Sequence, residues 1–367
     1  MKVVFRADAS LQMGTGHVMR CLTLADALTE RGAECHFICR AHPGHLIDLV
    51  RSKGNVGYAL SCESSRSAPG DGLAHAAWLG ASQEQDAQAC LPILQAIQPD
   101  WLIVDHYALD SLWELELKPH YCQLMVIDDL ADRRHYCDLL LDQTYCRDAA
   151  DYVRWVPINC RLLCGSQYAL LRPEFASLRS YSLHRRDNPQ LRHLLITMGG
   201  VDKDNATGQV LDALRNCPLP IDCKITIVMG ASAPWLSEVG SQAQAMPWST
   251  QVLVGVSDMA RLMADSDLAI GAAGATSWER CCLGLPTGML VLAENQRYAA
   301  WLLDRAQAVR ILQLGTNLPN ELAAFTSEVI NSTGYLKRLG ERASAITDGK
   351  GRQRVADWLM STRADNE

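Results

Sequence analysis

The sequence lacks an excess of positive charge. It contains 34 lysine and arginine residues against 41 aspartate and glutamate residues, which gives a formal net charge of -7. A nucleic-acid groove needs clustered basic side chains to neutralise phosphates, so we expect no nucleic-acid partner. An anionic ligand would have to be held by local groups, such as backbone N–H groups at the start of a helix.

Long apolar runs are missing as well. The amino-terminal stretch MKVVFRADAS is interrupted by Arg6 and Asp8, unlike a signal peptide. No stretch approaches the roughly 18 apolar residues of a membrane span. The sequence therefore predicts a cytoplasmic protein without membrane insertion. It does not fix the oligomeric state, for which we favour a monomer.

The cysteines lack the C-x-x-C spacing of zinc sites and thioredoxin-like redox sites. Most of the 14 stand among Leu, Ile, Val and Ala, as in HFIC and RCCLGL. That setting is typical of buried thiols in a reducing compartment. We therefore predict no disulfide framework.

Short β-branched runs alternate along the chain with runs of helical period. This alternation is typical of parallel sheets built from strand–helix–strand units. The 367 residues exceed what one core normally organises, and a polar stretch, RSYSLHRRDNPQLR, interrupts the pattern. We predict an α/β protein of two doubly wound Rossmann-type domains that face each other across a ligand cleft. The predicted bounds are 1–178 for the N-terminal domain, 179–190 for a linker, 191–345 for the C-terminal domain and 346–367 for a last helix.

The segment RADASLQMGTGHVMRCL places Gly14, Gly16 and His17 between the first strand and a helix. It is not G-x-G-x-x-G, because Met19 occupies the third glycine position, and no Gly-Lys-Ser/Thr of a P-loop follows. We therefore predict no cofactor. The helix dipole disfavours an imidazolium here, and a neutral imidazole is what a general base requires. Asp8 would orient the ring if it turned toward it, whereas a solvated or helix-capping histidine is the alternative.

Two further predicted strands end in acidic residues. Asp105 closes PDWLIVDHY, and Asp128 with Asp129 closes CQLMVIDDL. In an open α/β sheet the carboxyl ends of the strands face the ligand crevice, so these carboxylates are candidates for the wall of the site. Capping of the following loops or helices is an equally simple alternative.

The second half contains another glycine turn, in ITMGGVDKDNATG. Gly199 and Gly200 lie between a strand and a helix, where the backbone could close on a diphosphate. An ordinary turn with Asp or Asn capping the helix is the alternative. Two D-x-D patterns, at 202–204 and 265–267, match metal-dependent sugar-nucleotide enzymes but recur by chance in a chain of this length. We predict no metal.

The stretch DLAIGAAGATSWERCCLGLPTG is the most informative of the second half. A strand ends near Gly274, and Thr276, Ser277 and Glu279 open the next helix. Thr276 and Glu279 have the spacing of a capping box. The alternative is that Glu279 accepts hydrogen bonds from a ribose diol. Asn295 follows the next strand and is expected to face the same crevice.

These motifs resemble known enzymes. The stretches AAGATSWE, LGLP and ENQ are similar to the donor-nucleotide domain of MurG-like GT-B glycosyltransferases, and this resemblance implies a GT-B-like fold. Other motif residues resemble the UDP-sugar hydrolases of pseudaminic acid biosynthesis, which release UDP from UDP-2,4-diacetamido-2,4,6-trideoxy-β-L-altropyranose. Those residues are Arg6, Asp8, Gly14, Gly16, His17, Arg20, Asp128, Asp129, Tyr168, Arg172, Gly199, Gly200 and Asp202.

The resemblance implies that His17 is the general base, that Glu279 and Asn295 contact UDP, and that no metal is used. Water activated by His17 would attack the anomeric carbon with inversion. The helix N-termini after Gly200 and Gly274 would stabilise the charge that grows on UDP. A glycosyltransferase with a sugar or lipid acceptor, and a binding module without turnover, are the alternatives.

From the motifs and the resemblance together, we predict which candidate residues contact the sugar and which contact UDP. Contacts to the sugar are predicted for Arg6, Asp8, Gly14, Gly16, Arg20, Asp105, Asp128, Tyr168 and Arg172. Contacts to UDP are predicted for Gly199, Gly200, Gly274, Thr276, Ser277, Glu279 and Asn295.

Overall fold

The computed structural model describes residues 1–62, 72–332 and 334–361 and confirms the α/β class. The strands are β1 (Lys2–Ala7), β2 (Glu34–Arg40), β3 (Val56–Leu60), β4 (Trp101–Asp105), β5 (Gln123–Ile127), β6 (Leu139–Asp142), β7 (Arg161–Cys164), β8 (His193–Thr197), β9 (Lys224–Met229), β10 (Ser249–Val254), β11 (Leu268–Ala272), β12 (Thr287–Leu290) and β13 (Arg310–Leu312). The α-helices are α1 (Gly16–Thr29), α2 (Ile47–Ser52), α3 (Gln83–Ile97), α4 (Ser111–Leu117), α5 (Pro173–Arg185), α6 (Ala206–Leu214), α7 (Leu236–Gln244), α8 (Met259–Asp265), α9 (Thr276–Cys282), α10 (Arg297–Arg305), α11 (Leu318–Asn331), α12 (Tyr335–Ser344) and α13 (Gly351–Ser361).

These elements form two compact units. Unit 1 contains the residues up to Leu170 together with α13, and unit 2 runs from Leu171 to Lys350. Each unit has its own parallel sheet with helices packed against it. No helix in the described ranges combines the length and the apolar character needed to cross a membrane.

The boundary between the units differs from the predicted linker over 179–190. The first part of that stretch belongs to α5, which packs against α8 and α9 within unit 2. Buried Arg186 donates to the carbonyl oxygens of Ser266 at 2.9 Å and Gly284 at 2.8 Å. The stretch is polar because its arginines bind backbone carbonyls, a role that its composition does not distinguish from that of a solvated linker.

The sheet of unit 1 has the order β3-β2-β1-β4-β5-β6-β7, with all neighbours parallel. The chain order reverses between β1 and β4, which pair with Ala7 opposite Asp105. At such a switch point the connections leave toward opposite faces and open a crevice at the carboxyl ends of the strands. The turn after β1 and the last residue of β4 therefore meet there.

The sheet of unit 2 has the order β10-β9-β8-β11-β12-β13 and is also fully parallel. Its order reverses between β8 and β11. Gly199 and Gly200 follow β8, and Gly274 follows β11. The switch point thus places the two glycine segments of this unit side by side.

The core of unit 1 fixes the position of α1. Along β1, Val3 and Phe5 pack on the side that α1 and α13 cover, whereas Val4 faces the side of α3 and α4. On α1, Val18 and Leu22 belong to the same cluster as Phe5. Each such buried side chain contributes about 1.5–3 kcal/mol to folding. Apolar packing therefore holds the start of α1 against the sheet.

Candidate functional site

His17 lies in the first turn of α1, directly after the glycine turn. Gly14 has a φ of 80° and exchanges two backbone hydrogen bonds with Ser10, which closes the turn between β1 and α1. The His17 ring is buried, and its Nδ1 lies 2.6 Å from Oδ1 of Asp105. Within the described residues, Nε2 makes no hydrogen bond, so it remains available for a water molecule.

Asp105, and not Asp8, orients the His17 ring. Arg20 binds the same carboxylate in a bidentate way, donating from Nε to Oδ2 at 2.6 Å and from Nη2 to Oδ1 at 2.8 Å. Burial opposes the charge on Asp105, but Arg20 and His17 outweigh it and lower the pKa of this carboxyl. An ionised carboxylate accepts the proton on Nδ1 and leaves the lone pair on Nε2, which is the arrangement of a general base.

Arg20 extends this network to Asp129 and Tyr107. Its Nη1 lies 2.5 Å from Oδ2 of Asp129, and the Tyr107 hydroxyl donates to the same oxygen at 3.0 Å. The Tyr107 ring stands edge-on to His17 with 4.6 Å between the ring centroids. Burial raises the pKa of Tyr107, so its hydroxyl stays protonated. Sequence reasoning missed Tyr107, although it follows Asp105 by two residues in VDHY.

Arg6 and Asp8 form a neighbouring cluster instead. Arg6 donates to Oδ1 of Asp8 at 2.6 Å and to both oxygens of Asp86, and the same Asp8 oxygen accepts the backbone N–H of Arg40. Arg6 and Asp8 are both 0% exposed. Their charges are paired inside the unit, so these side chains fix the ends of β1 and β2. The predicted contact with a sugar does not fit this burial.

Asp128 also has an internal role. Its carboxylate binds Arg133 at 2.7 Å and the Tyr152 hydroxyl at 2.9 Å, and it accepts the backbone N–H groups of Leu130 and Ala131. These contacts shape the loop after β5, which carries Asp129. Asp128 is 0% exposed and thus helps to hold the loop that carries Asp129.

Tyr168 and Arg172 lie in different units. Tyr168 packs against the core of unit 1, and its backbone touches Gly351 at the start of α13. Arg172 precedes α5 in unit 2, where its Nη2 is 4.0 Å from Oε1 of Glu279. The structure therefore places Arg172 with the predicted UDP residues, whereas Tyr168 has a packing role.

The glycine turn after β8 is tightly packed. Gly199 has a φ of 87°, and a Cβ on Gly230 would lie 2.0 Å from the carbonyl oxygen of Gly200. The first amides of α6 are occupied, because Asp202 accepts from residues 206 and 207 and Asn205 accepts from residue 208. The expectation that these amides face a diphosphate is therefore wrong.

The same contacts explain the D-x-D patterns. Asp202 is a helix cap, and Asp267 accepts the backbone N–H groups of Arg192 and His193 at 2.9 and 2.8 Å. Asp265 pairs with Arg261 at 2.8 Å. Over the described ranges, no three metal-binding side chains are grouped so that they could hold an ion.

The capping box predicted at Thr276 and Glu279 is wrong. α9 begins at Thr276 itself, its N-cap is Ala275, and no side chain caps it. The Thr276 hydroxyl accepts from Nη1 of Arg280 at 3.1 Å. Glu279 therefore does not cap α9. Burial raises its pKa to about 7, a shift that the charges of Arg172 and Arg280 only partly offset.

The remaining predicted UDP residues surround the end of β11. Ser277 is buried and accepts from Arg280 at 3.3 Å. Gln296 lies against Gly274, because a Cβ on that glycine would be 4.0 Å from Gln296 Nε2. Asn295 occupies the same single 3₁₀ turn as Gln296 and is partly exposed. No contact in the described residues assigns it a structural role.

Comparison with known proteins adds the following. No family model matches the chain. The UDP-2,4-diacetamido-2,4,6-trideoxy-β-L-altropyranose hydrolase of Campylobacter jejuni is 26% identical over 310 residues, which cover 84% of this chain and 98% of that protein. The spore coat polysaccharide biosynthesis protein SpsG of Bacillus subtilis is 29% identical over 207 residues, covering 56% of this chain and 60% of SpsG.

Among solved structures, MurG of Acinetobacter baumannii matches with a TM-score of 0.70 at 18% identity, over 98% of this chain and 99% of MurG. A fold can be shared at that identity while the chemistry differs. The chain therefore has the GT-B fold of MurG-like glycosyltransferases, and its sequence is similar to that of the Campylobacter UDP-sugar hydrolase.

Proposed function

We propose that the protein is a cytoplasmic enzyme of pseudaminic acid biosynthesis that hydrolyses UDP-2,4-diacetamido-2,4,6-trideoxy-β-L-altropyranose to UDP and the free sugar. The pairing of His17 Nδ1 with Asp105 at 2.6 Å carries the proposal, because it provides a base with a free Nε2 at the switch point of unit 1. Similarity to the Campylobacter hydrolase supports the choice of substrate.

The proposed reaction is a single displacement. Nε2 of His17 removes a proton from water while the water oxygen forms a bond to the anomeric carbon from the side opposite UDP. The bond from that carbon to the diphosphate oxygen breaks, and its electron pair leaves with UDP. The configuration is inverted. Diphosphate is a weakly basic leaving group, so the second carboxylic acid of ordinary glycosidases is dispensable, and no metal takes part.

Glu279 is proposed to hold UDP. Its carboxylate lies at the switch point of unit 2 without a capping role, and it makes no hydrogen bond among the described residues. A half-buried carboxylate that accepts no hydrogen bond from the described residues suits the two hydroxyls of a ribose. Gly274, Thr276, Ser277, Gly199, Gly200 and Asn295 remain proposed contacts to the rest of UDP.

Glu279→Gln tests this assignment through stability as well as binding. The pKa of Glu279 is about 7 in the folded protein, against an ordinary value of 4.5. Protonation of Glu279 therefore stabilises the folded state fully below a pH of about 4.5, and this stabilisation is lost as the pH rises through 7. The ionised side chain then costs about 3 kcal/mol. Thermal unfolding should show the variant more stable than wild type at pH 8 and equal to it near pH 4.5.

The same variant should bind UDP about tenfold to a hundredfold more weakly at pH 8, since it loses a charged hydrogen-bond acceptor. Titration calorimetry measures this directly. Glu238→Gln, which neutralises an exposed carboxylate on α7, is the matched control. Unchanged UDP affinity together with an unchanged pH dependence of stability would remove Glu279 from the site.

One assay separates the proposed hydrolase from its alternatives. The purified protein is incubated with the UDP-sugar and EDTA, without an acceptor, and UDP and free sugar are quantified. Catalytic release of both supports the hydrolase. Release that begins only when an acceptor sugar or lipid is added would indicate a glycosyltransferase, and stoichiometric binding without release would indicate a binding module.

A further inference from the structure

Aromatic side chains surround the His17 ring, and two of them come from the segment after β3. Trp78 lies edge-on to His17 at 6.4 Å between ring centroids and stacks on Tyr107 at 5.9 Å. His75 is 4.4 Å from the Trp78 ring and 5.5 Å from the Tyr107 ring. His75, Trp78 and Tyr107 therefore form one continuous surface beside the base, which we call the aromatic wall.

The segment that carries His75 and Trp78 is anchored, although both rings are only partly buried. Leu79 is buried in the core on the α3 and α4 side of the sheet. Gly80 has a φ of 68°, and a Cβ there would lie 2.8 Å from Cε1 of His42. The backbone thus passes close against His42, and the rings are held in place without being part of the core.

The aromatic wall is uncharged within an otherwise charged site. Neither the Trp78 indole nor the His75 imidazole makes a hydrogen bond to the described residues. Burial lowers the pKa of His75, so the ring is neutral at pH 7. Around it stand the ionic groups Arg20, Asp105 and Asp129. Methyl groups gain more than hydroxyl groups from packing against aromatic ring faces, because they give up no hydrogen bonds with water.

We propose that His75 and Trp78 determine the sugar specificity of the site by packing against the methyl groups of a deoxy, N-acylated sugar. This inference rests on the proposed function and names the substrate class that the base serves. A 2,4-diacetamido-2,4,6-trideoxy sugar carries three methyl groups and, besides its anomeric oxygen, a single hydroxyl. The sugar of UDP-N-acetylglucosamine carries three hydroxyls and one methyl group, so it buries less apolar area against the aromatic wall.

The test measures affinities by titration calorimetry in a His17→Asn background, in which the expected loss of rate keeps hydrolysis small during the titration. Trp78→Ala is expected to weaken binding of UDP-2,4-diacetamido-2,4,6-trideoxy-β-L-altropyranose about tenfold to a hundredfold. Affinity for UDP, which lacks the sugar, should change by less than about twofold, and affinity for UDP-N-acetylglucosamine should fall less than that for the trideoxy sugar. Trp78→Phe should keep most of the affinity.

Trp301→Ala, which removes a half-exposed indole from α10, is the matched control and should change none of the three affinities. Equal losses of both UDP-sugars in Trp78→Ala, or no loss, would overturn the specificity role. An equal loss with unchanged UDP affinity would mark Trp78 as a general sugar contact, and a loss that includes UDP would mark it as a structural residue. Wild-type release of UDP is measured separately, so a failure of the proposed hydrolysis is distinguishable from a failure of this inference.

Discussion

His17→Asn is expected to lower the rate of UDP release about a thousandfold to ten-thousandfold, because asparagine cannot accept the proton of the attacking water. The amide is close to imidazole in size, so the glycine turn and α1 should keep their packing. Affinity for UDP should stay within about twofold, since the loss concerns only the transition state. Initial rates of UDP release and calorimetric titration with UDP measure the two quantities.

The matched control is His184→Asn, which changes a side chain on α5 that is 91% exposed. It should leave both the rate and the affinity unchanged. Full activity in His17→Asn would discard the proposed mechanism. A parallel collapse of UDP affinity would instead indicate that His17 holds the nucleotide.

Asp105→Asn is expected to lower kcat about a hundredfold to ten-thousandfold with little change in KM. The asparagine amide can donate to Nδ1, which favours the tautomer whose proton sits on Nε2, and that tautomer cannot act as a base. The charge that stabilises the protonated ring is lost as well. The substitution also weakens the binding of Arg20, which contacts both Asp105 oxygens and keeps its contact with Asp129. Steady-state kinetics with the UDP-sugar gives kcat and KM separately.

Asp110→Asn is the appropriate control for Asp105→Asn. Asp110 caps α4 by accepting the N–H of Leu112, and asparagine caps helices equally well. It removes one carboxylate five residues along the chain and should leave kcat unchanged. If Asp105→Asn raised KM and spared kcat, Asp105 would be a substrate contact and not a positioning residue for His17.

The fold could be predicted from the sequence because buried parallel strands leave a strong signal. The runs MKVVF and HLLIT are apolar, bounded by polar or helical stretches, and correspond to β1 and β8. Strands β3, β6 and β7 leave a weaker signal. β3 contains a glycine and is partly exposed, and the other two have only four residues, too few to show a period.

The candidate site could be predicted only in part. The glycines before His17 identified it as a candidate. Its partner Asp105 lies 88 residues away, and the contact between them depends on the pairing of β1 with β4. Glu279 matched a capping box because local spacing cannot show that Thr276 bonds to Arg280. Sequence patterns report local geometry, whereas these contacts are decided by strand order and by buried arginines.

The measurement that tests the central claim most directly is hydrolysis in water enriched in oxygen-18, without an acceptor, followed by mass spectrometry of both products. Attack by water on the anomeric carbon predicts one labelled oxygen in the free sugar and none in UDP. Label in the diphosphate would show that a phosphorus–oxygen bond breaks instead. Either that result or the absence of UDP release would contradict the proposed mechanism.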